Sequence, residues 1–248
     1  MILFGILIIL IFFILFLIRP RRHRIIVSMT TIPERIEDGR IHKTIRSIFA
    51  QSHIVDAFYI NIPHKTLKNK SYPEDKIEEI RKMYPSVTIN RVETDLGPIT
   101  KLVPTLKHIK QYDYIVLVDD DVIYDKDMIM NLVNSKLDAV GYAGRRGDLE
   151  FFTSNNVSYN TPCIFIETYA GVLYHSDIFD TFQEYYAEND ICKNQDDIVI
   201  GHYLHTKNIP RHVISSKFQC SHDGAGSPEL RDENIIGGNR KCYEALFK

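Results

Sequence analysis

The sequence predicts an α/β domain built on a mostly parallel central sheet with flanking helices, carried behind one apolar N-terminal segment. Three observations support this reading. Short apolar runs alternate with helix-patterned stretches from Arg24 to Lys136; one run, Tyr112 to Val118, ends directly in three aspartates; and the first 18 residues carry no charge. Strands alternating with helices are the mark of a parallel sheet with crossover helices.

Met1 to Ile18 is almost wholly apolar. At about 1.5 Å per residue a helix of that length spans roughly 27 Å, close to one hydrocarbon core. No charged region precedes the stretch and no small-x-small site follows it, so a single-pass membrane anchor fits better than a cleaved signal peptide. Residues 19–24, Arg-Pro-Arg-Arg-His-Arg, form a basic juxtamembrane segment suited to lipid headgroups. Residues 25–248 are long enough for one compact domain with a loop-rich tail. Positive charge tends to remain cytoplasmic, which favours a cytoplasmic domain; a domain in the Golgi or ER lumen is the alternative. The four cysteines form no CxxC pair and allow two disulfides or none. Asn69-Lys70-Ser71 and Asn156-Val157-Ser158 fit the glycosylation sequon, a pattern too short to decide anything. A net charge of −2 gives no field that would attract nucleic acid.

Arg24 to Thr30 reads as a buried strand, Ile36 to Ala50 as a helix with apolar residues at helical spacing, and Ala57 to Ile62 as a second strand. A charged surface helix covers Glu74 to Met83, and Val87 to Val92 is a third strand. Gly97-Pro98 opens a helix running to about Lys110, with proline in the first turn, where its missing N–H costs little. Tyr112 to Val118 is a fourth strand, buried on both faces, and Asp127 to Lys136 a helix. Beyond it, Ala139 to Ala143, Cys163 to Thr168 and His212 to Ser215 read as strands, and Asp177 to Ala187 and Gln195 to His205 as helices. Gly147 to Thr161 and Cys220 to Arg240 read as loops.

The acidic run Asp119-Asp120-Asp121 carries the chemistry. In an open α/β sheet ligands bind beyond the carboxyl ends of the strands. Three carboxylates delivered there raise one another's pKa and resist ionising together. A hard divalent cation, Mg²⁺ or Mn²⁺, removes that cost and suits carboxylate plus phosphate oxygen. A second acidic set, Asp196-Asp197, opens the helix at Gln195. A helix N-terminus favours such charge by itself, and a carboxylate there can also take a proton from a hydroxyl.

An Asp-x-Asp placed after a central strand resembles that of the GT-A glycosyltransferases, Rossmann-like enzymes of the family-2 kind. The resemblance runs from Arg24 to about Ser216, in element order and short motifs. It implies transfer of a sugar from a nucleotide-diphosphate sugar to a hydroxyl of a glycan, protein or lipid. It implies that Asp119 and Asp120 face the nucleotide, that Asp119 and Asp121 hold Mn²⁺ or Mg²⁺, and that His222 is a third metal ligand, with His212 the alternative. By the same likeness Thr30, Thr31 and Arg35 meet the base and ribose. Asp95 and Lys101 approach the ribose and diphosphate, and Gly171 lies beside the acceptor. Asp197, seconded by Asp196, is the base of an inverting reaction. Asp196 stands where many relatives have Glu.

Three other readings compete. A haloacid-dehalogenase-type phosphohydrolase would use Asp119 and Asp121 as nucleophile and acid, but its nucleophile strand usually comes first and Ile123 stands where Thr or Val is expected. A nucleotidyltransferase usually begins with a glycine-rich loop, which Thr30 to Arg35 lacks. An inactive membrane-tethered glycan-binding protein would have no need of both acidic sets.

Overall fold

The computed structural model describes residues 22–147, 149–188, 192–217, 220–222 and 237–248. The apolar segment 1–18 lies outside them. Among the described residues no helix is long and apolar enough to cross a membrane.

The chain opens with β1 (Ile25–Thr30), α1 (Pro33–Glu37) and α2 (Ile41–Phe49). β2 (Ala57–Pro63), α3 (Glu74–Met83) and β3 (Val87–Val92) follow. The single helix expected over Ile36 to Ala50 is broken at Gly39, whose φ of 75° lies in the left-handed region. Both α2 and α3 bury one stripe. Ile41, Ile45 and Ile48 of α2 and Ile77 and Ile80 of α3 are at most 1% exposed, each worth about 1.5–3 kcal/mol of transfer from water.

The helix expected from Gly97 to Lys110 is instead two short 3-10 turns, Gly97–Lys101 and Thr105–Lys107. Pro104 ends it: proline supplies no N–H and disfavours helical geometry in the residue before it. β4 (Tyr114–Leu117), β5 (Val122–Tyr124) and α4 (Met128–Asn134) come next. The strand expected over Ala139 to Ala143 divides into β6 (Ala139–Gly141) and β7 (Ala143–Arg146), which join different sheets. The expected loop from Gly147 contains β8 (Glu150–Thr153) and a 3-10 turn, Ser154–Asn156, closed by a reciprocal Thr153–Asn156 cap. β9 (Thr161–Pro162) and β10 (Phe165–Ile166) are short, and β11 (Val172–His175) follows. The helix expected from Asp177 is a 3-10 turn, Ser176–Phe179, and then α5 (Phe182–Glu188). α6 (Asp196–Thr206) and β12 (His212–Val213) agree with expectation to within two residues. The tail, expected to be loop, carries β13 (Cys220–His222) and α7 (Gly238–Phe247) at its ends.

The main sheet has eight strands in the order β3-β2-β1-β4-β11-β6-β12-β9. β3, β2, β1 and β4 are parallel, and β11 runs antiparallel between β4 and β6. Smaller antiparallel sheets, β10-β7-β8 and β13-β5, lie beside it. Continuous burial of Ile25, Ile26, Val27 and of Ile115, Val116, Leu117 reflects helices on both faces. One core packs α2 and α3 against β1 and β2; the other packs α6 against β4 and β11. A disulfide between Cys192 and Cys242 ties the start of α6 to α7, so one bridge forms where the sequence allowed two or none. Cys163 is a buried thiol and Cys220 a half-buried one.

Candidate active site

The acidic run leaves β4 at the carboxyl edge of the sheet and turns into β5. Its backbone is fixed by Tyr124. The Asp119 N–H donates to the Tyr124 hydroxyl at 2.8 Å, and that hydroxyl donates to the Tyr169 carbonyl at 2.9 Å. Burial, then the Asp119 charge, pushes the phenol well above its ordinary range, so it remains a neutral donor.

The three carboxylates point to different partners. Asp120 turns inward, 3% exposed, and pairs with Arg35 of α1. Arg35 also donates to Asp121 at 2.8 Å. Burial opposes the Arg35 charge, but Asp120, Asp121 and Asp119 outweigh it and raise its pKa. Burial pushes the Asp120 carboxyl up against the pull of Arg35. Asp119 is held from the other side by Lys101, whose Nζ lies 2.5 Å from Asp119, 3.0 Å from Asp196 and 2.9 Å from the Thr168 hydroxyl.

Lys101 is a buried cation because its backbone is pinned first. Its carbonyl accepts the Ser28 hydroxyl of β1 at 2.5 Å. Ser28, Asn61 and Thr105 complete a buried hydrogen-bonded group beneath it. Burial alone would neutralise the amine; Asp119, Asp196 and Asp197 hold its pKa above the ordinary lysine range. Gly97 brings this turn close to α6: at φ 73° a Cβ there would lie 2.6 Å from the Lys193 carbonyl. Asp196 and Asp197 open α6 at this junction.

Asp197 accepts the Thr168 N–H at 2.9 Å. Burial first, then Asp196 and Glu167, push its carboxyl well above the usual range; Lys101 and the Thr168 N–H pull the other way. Glu167 is tied to Arg145 at 2.5 Å. Asp197 is therefore the more exposed of the site's two raised carboxylates, half-buried and flanked by like charge, whereas Asp120 is closed off behind Arg35.

The structure thus brings Arg35, Lys101, Asp119, Asp120, Asp121, Asp196 and Asp197 together. Thr31 is buried beside Asp120 and helps hold its charged form. Thr30 donates to the Asn61 carbonyl at 2.9 Å and so crosslinks β1 and β2. Asp95 accepts the Gly97 and Leu67 N–H groups, each at 2.8 Å, which gives it a turn-holding role. His212 begins β12, at the edge where the parallel strands start. The His222 side chain lies outside the described residues, but strand pairing sets its backbone opposite Val122, next to Asp121. The sequence reading gave no role to Thr168, which joins Lys101 to Asp197; its place three residues before Gly171 was the one hint.

Among the described residues no group of three or more His, Cys, Asp or Glu is placed to hold a metal. The donor chemistry fits a hard divalent cation all the same. Asp119 and Asp121, 29% and 14% exposed, present carboxylate oxygens to solvent. Five carboxylates share two cations here, so further positive charge is favoured. Arg35 must then share Asp121 with the ion.

No protein-family profile matches the chain, and no curated sequence matches it. Solved structures do. A mannosyltransferase from Pyrobaculum calidifontis, in complex with GDP-Man and Mn²⁺, aligns over 91% of this chain and 65% of its own, with TM-score 0.62 and 14% identity. GalNAc-T7 with UDP, GalNAc and Mn²⁺ aligns over 86% of this chain and 48% of its own, with TM-score 0.58 and 10% identity. The inositol-1-phosphate CTP transferase of T. maritima aligns over 90% of this chain and 97% of its own, with TM-score 0.53 and 9% identity. The chain has the GT-A fold and spans less than two thirds of either glycosyltransferase.

Proposed function

We propose that the protein transfers a sugar from a nucleotide-diphosphate sugar to an acceptor hydroxyl, with inversion at the anomeric carbon. The observation that carries this is the single salt-bridged cluster joining Asp119 of the strand-edge run to Asp196 beside Asp197, through Lys101. In this reading Asp119 faces the diphosphate and the raised Asp197 carboxyl beside Asp196 serves as the base of a single displacement. The fold supports it, and the glycosyltransferases that share the fold are bound to nucleotides or nucleotide sugars and Mn²⁺.

Asp197 takes the proton from the acceptor hydroxyl as its oxygen bonds to the anomeric carbon. The bond from that carbon to the diphosphate oxygen breaks, and the nucleoside diphosphate leaves. Asp119 and Asp121, with His222, would hold Mn²⁺ or Mg²⁺, which would neutralise charge on the diphosphate. Lys101 holds Asp119 and Asp196 in place from below. Arg35 holds Asp120 and Asp121.

The cytidylyltransferase-like neighbour, matched over nearly its whole length, supports nucleotidyl transfer as a second reading. Products separate the two. Purified protein given nucleotide sugars and Mn²⁺ should release nucleoside diphosphate. Release of inorganic pyrophosphate from a nucleoside triphosphate and a sugar phosphate would replace the first reading with the second.

A further inference from the structure

The parallel strands β3, β2, β1 and β4 all begin at one edge of the sheet, opposite the acidic site. Large apolar side chains are exposed along that edge. Met83 ends α3 ahead of β3 and is 57% exposed; Ile54, ahead of β2, is 66%; Tyr112, ahead of β4, is 48%; Phe49 ends α2 and is 46%. Single exposed apolar residues need no explanation. These follow the order of the strands, and at about 4.8 Å per strand the row runs roughly 15 Å.

Arg22, the first described residue, lies in the middle of this row, just before β1. Its guanidinium pairs with Asp56 ahead of β2, and Arg24 pairs with Asp113 ahead of β4. Those two carboxylates are thereby neutralised and do not repel anionic lipid, while Asp177, its side chain 35% exposed, accepts the Tyr112 N–H at the end of the row. Lys82 and Lys110 are exposed beside them, while Lys136 and Asp138 offset each other before β6. Only residues 19–21 separate Arg22 from the uncharged segment that ends at Ile18. Three extended residues reach about 11 Å at most.

We infer that this strand-start edge rests on the lipid bilayer into which residues 1–18 insert, with Phe49, Ile54, Met83 and Tyr112 in the interfacial layer. The tether is too short to hold the domain far from the membrane, and the edge it leaves is the one carrying the apolar row. The six residues of β1 rise about 3.3 Å each, which lifts the acidic edge roughly 20 Å from the lipid. Taken with the sugar-transfer reading, on which this last step rests, the acceptor hydroxyl is presented above the bilayer. It belongs to a soluble or extended acceptor, not to a lipid headgroup.

The sequence contains no Trp, so one introduced indole reports its own depth. Full-length Ile54→Trp, Met83→Trp and Leu67→Trp variants are reconstituted into vesicles of phosphatidylcholine and phosphatidylglycerol with brominated acyl chains. Leu67 is the control: it is 58% exposed at the opposite edge, where its N–H meets Asp95. Quenching several-fold stronger at positions 54 and 83 than at 67 is expected. Equal quenching at all three, or stronger quenching at 67, overturns the orientation. Full-length protein that fails to float with the vesicles overturns the anchor and the orientation together. Neither outcome touches the transfer reaction, which product release tests separately.

Discussion

Replacing Lys101 with Met removes the charge that joins the two acidic sets while keeping the length of the side chain. The ammonium is 4% exposed and lies 2.5 Å from Asp119 and 3.0 Å from Asp196, which is itself 9% exposed. Deleting one partner of a buried pair leaves a desolvated charge uncompensated, at a cost of about 3–5 kcal/mol. Asp119 is exposed enough for water to screen part of its loss, so most of the cost falls on Asp196. For a domain of this size about 2–4 °C of melting temperature corresponds to each kcal/mol, so Lys101→Met should lower Tm by roughly 6–20 °C. The penalty belongs to an orphaned carboxylate, so neutralising it should restore stability. The double variant Lys101→Met/Asp196→Asn should recover about 1–3 kcal/mol relative to the sum of the single changes. Urea unfolding of the four proteins measures both quantities. A Lys101→Met loss below about 1 kcal/mol, or strictly additive single changes, would refute the buried-clamp reasoning.

Asp197→Asn should lower turnover on the order of a hundredfold, the scale of base catalysis, while donor affinity stays nearly unchanged; steady-state kinetics with NMR of the product anomer checks this, and retained configuration removes Asp197 as base. Because the Asp197 carboxyl is raised, its basic form appears only as pH climbs above the ordinary carboxylate range. The acid limb of the kcat profile should therefore lie above that range and vanish in Asp197→Asn. The same shift makes Asp197 stabilise the fold below the unfolded carboxyl pKa and lose that contribution as pH rises through the folded one, so Asp197→Asn should melt higher than the parent at neutral pH. Nucleoside diphosphate should bind weakly without Mn²⁺ or Mg²⁺ and weakly to Asp121→Asn in their presence; calorimetry giving equal affinity with and without chelator would dismiss the metal role. Reducing Cys192–Cys242, which closes a separation of 50 residues, should cost about 4 kcal/mol in the chain-entropy picture, and a Tm unchanged by reductant contradicts that.

The parallel half of the fold was legible because its strands are continuous apolar runs bounded by turn residues. α3 and β3 match the expected spans at both ends. The acidic clusters were equally legible, since each stands at the end or start of a strongly patterned element. What pattern could not supply was the partnership between them. Lys101 reads in sequence as one more lysine in a helical stretch; its burial comes from Ser28, Asn61 and Thr105, which are brought under it by three separate elements. Arg35 likewise reads as a nucleotide contact, yet it spends its guanidinium on Asp120 and Asp121. α7 was missed because Gly237, Gly238 and Asn239 resemble loop, while the disulfide at Cys242 holds that helix against α6.

The disulfide also bears on the side of the membrane. Basic residues after the apolar segment favour a cytoplasmic domain, but that preference is a bias of a few charges near one end of a span, and Arg22 and Arg24 are already paired with Asp56 and Asp113. A structural disulfide beside α6, by contrast, persists where the surroundings oxidise thiols and is rare where glutathione keeps them reduced. The bridge closes the stretch that delivers Asp196 and Asp197, so a reducing compartment would loosen the helix that carries them. We therefore propose the lumenal or exterior side for the domain. On that side Asn69, exposed at a turn with φ of 60° and far from the strand-start edge, is open to glycosylation, whereas the Asn156 amide is engaged in the Thr153 cap. Oxidation, access at Asn69 and the strand-start edge proposed to rest on lipid are compatible with one geometry, in which the acidic edge points away from the bilayer.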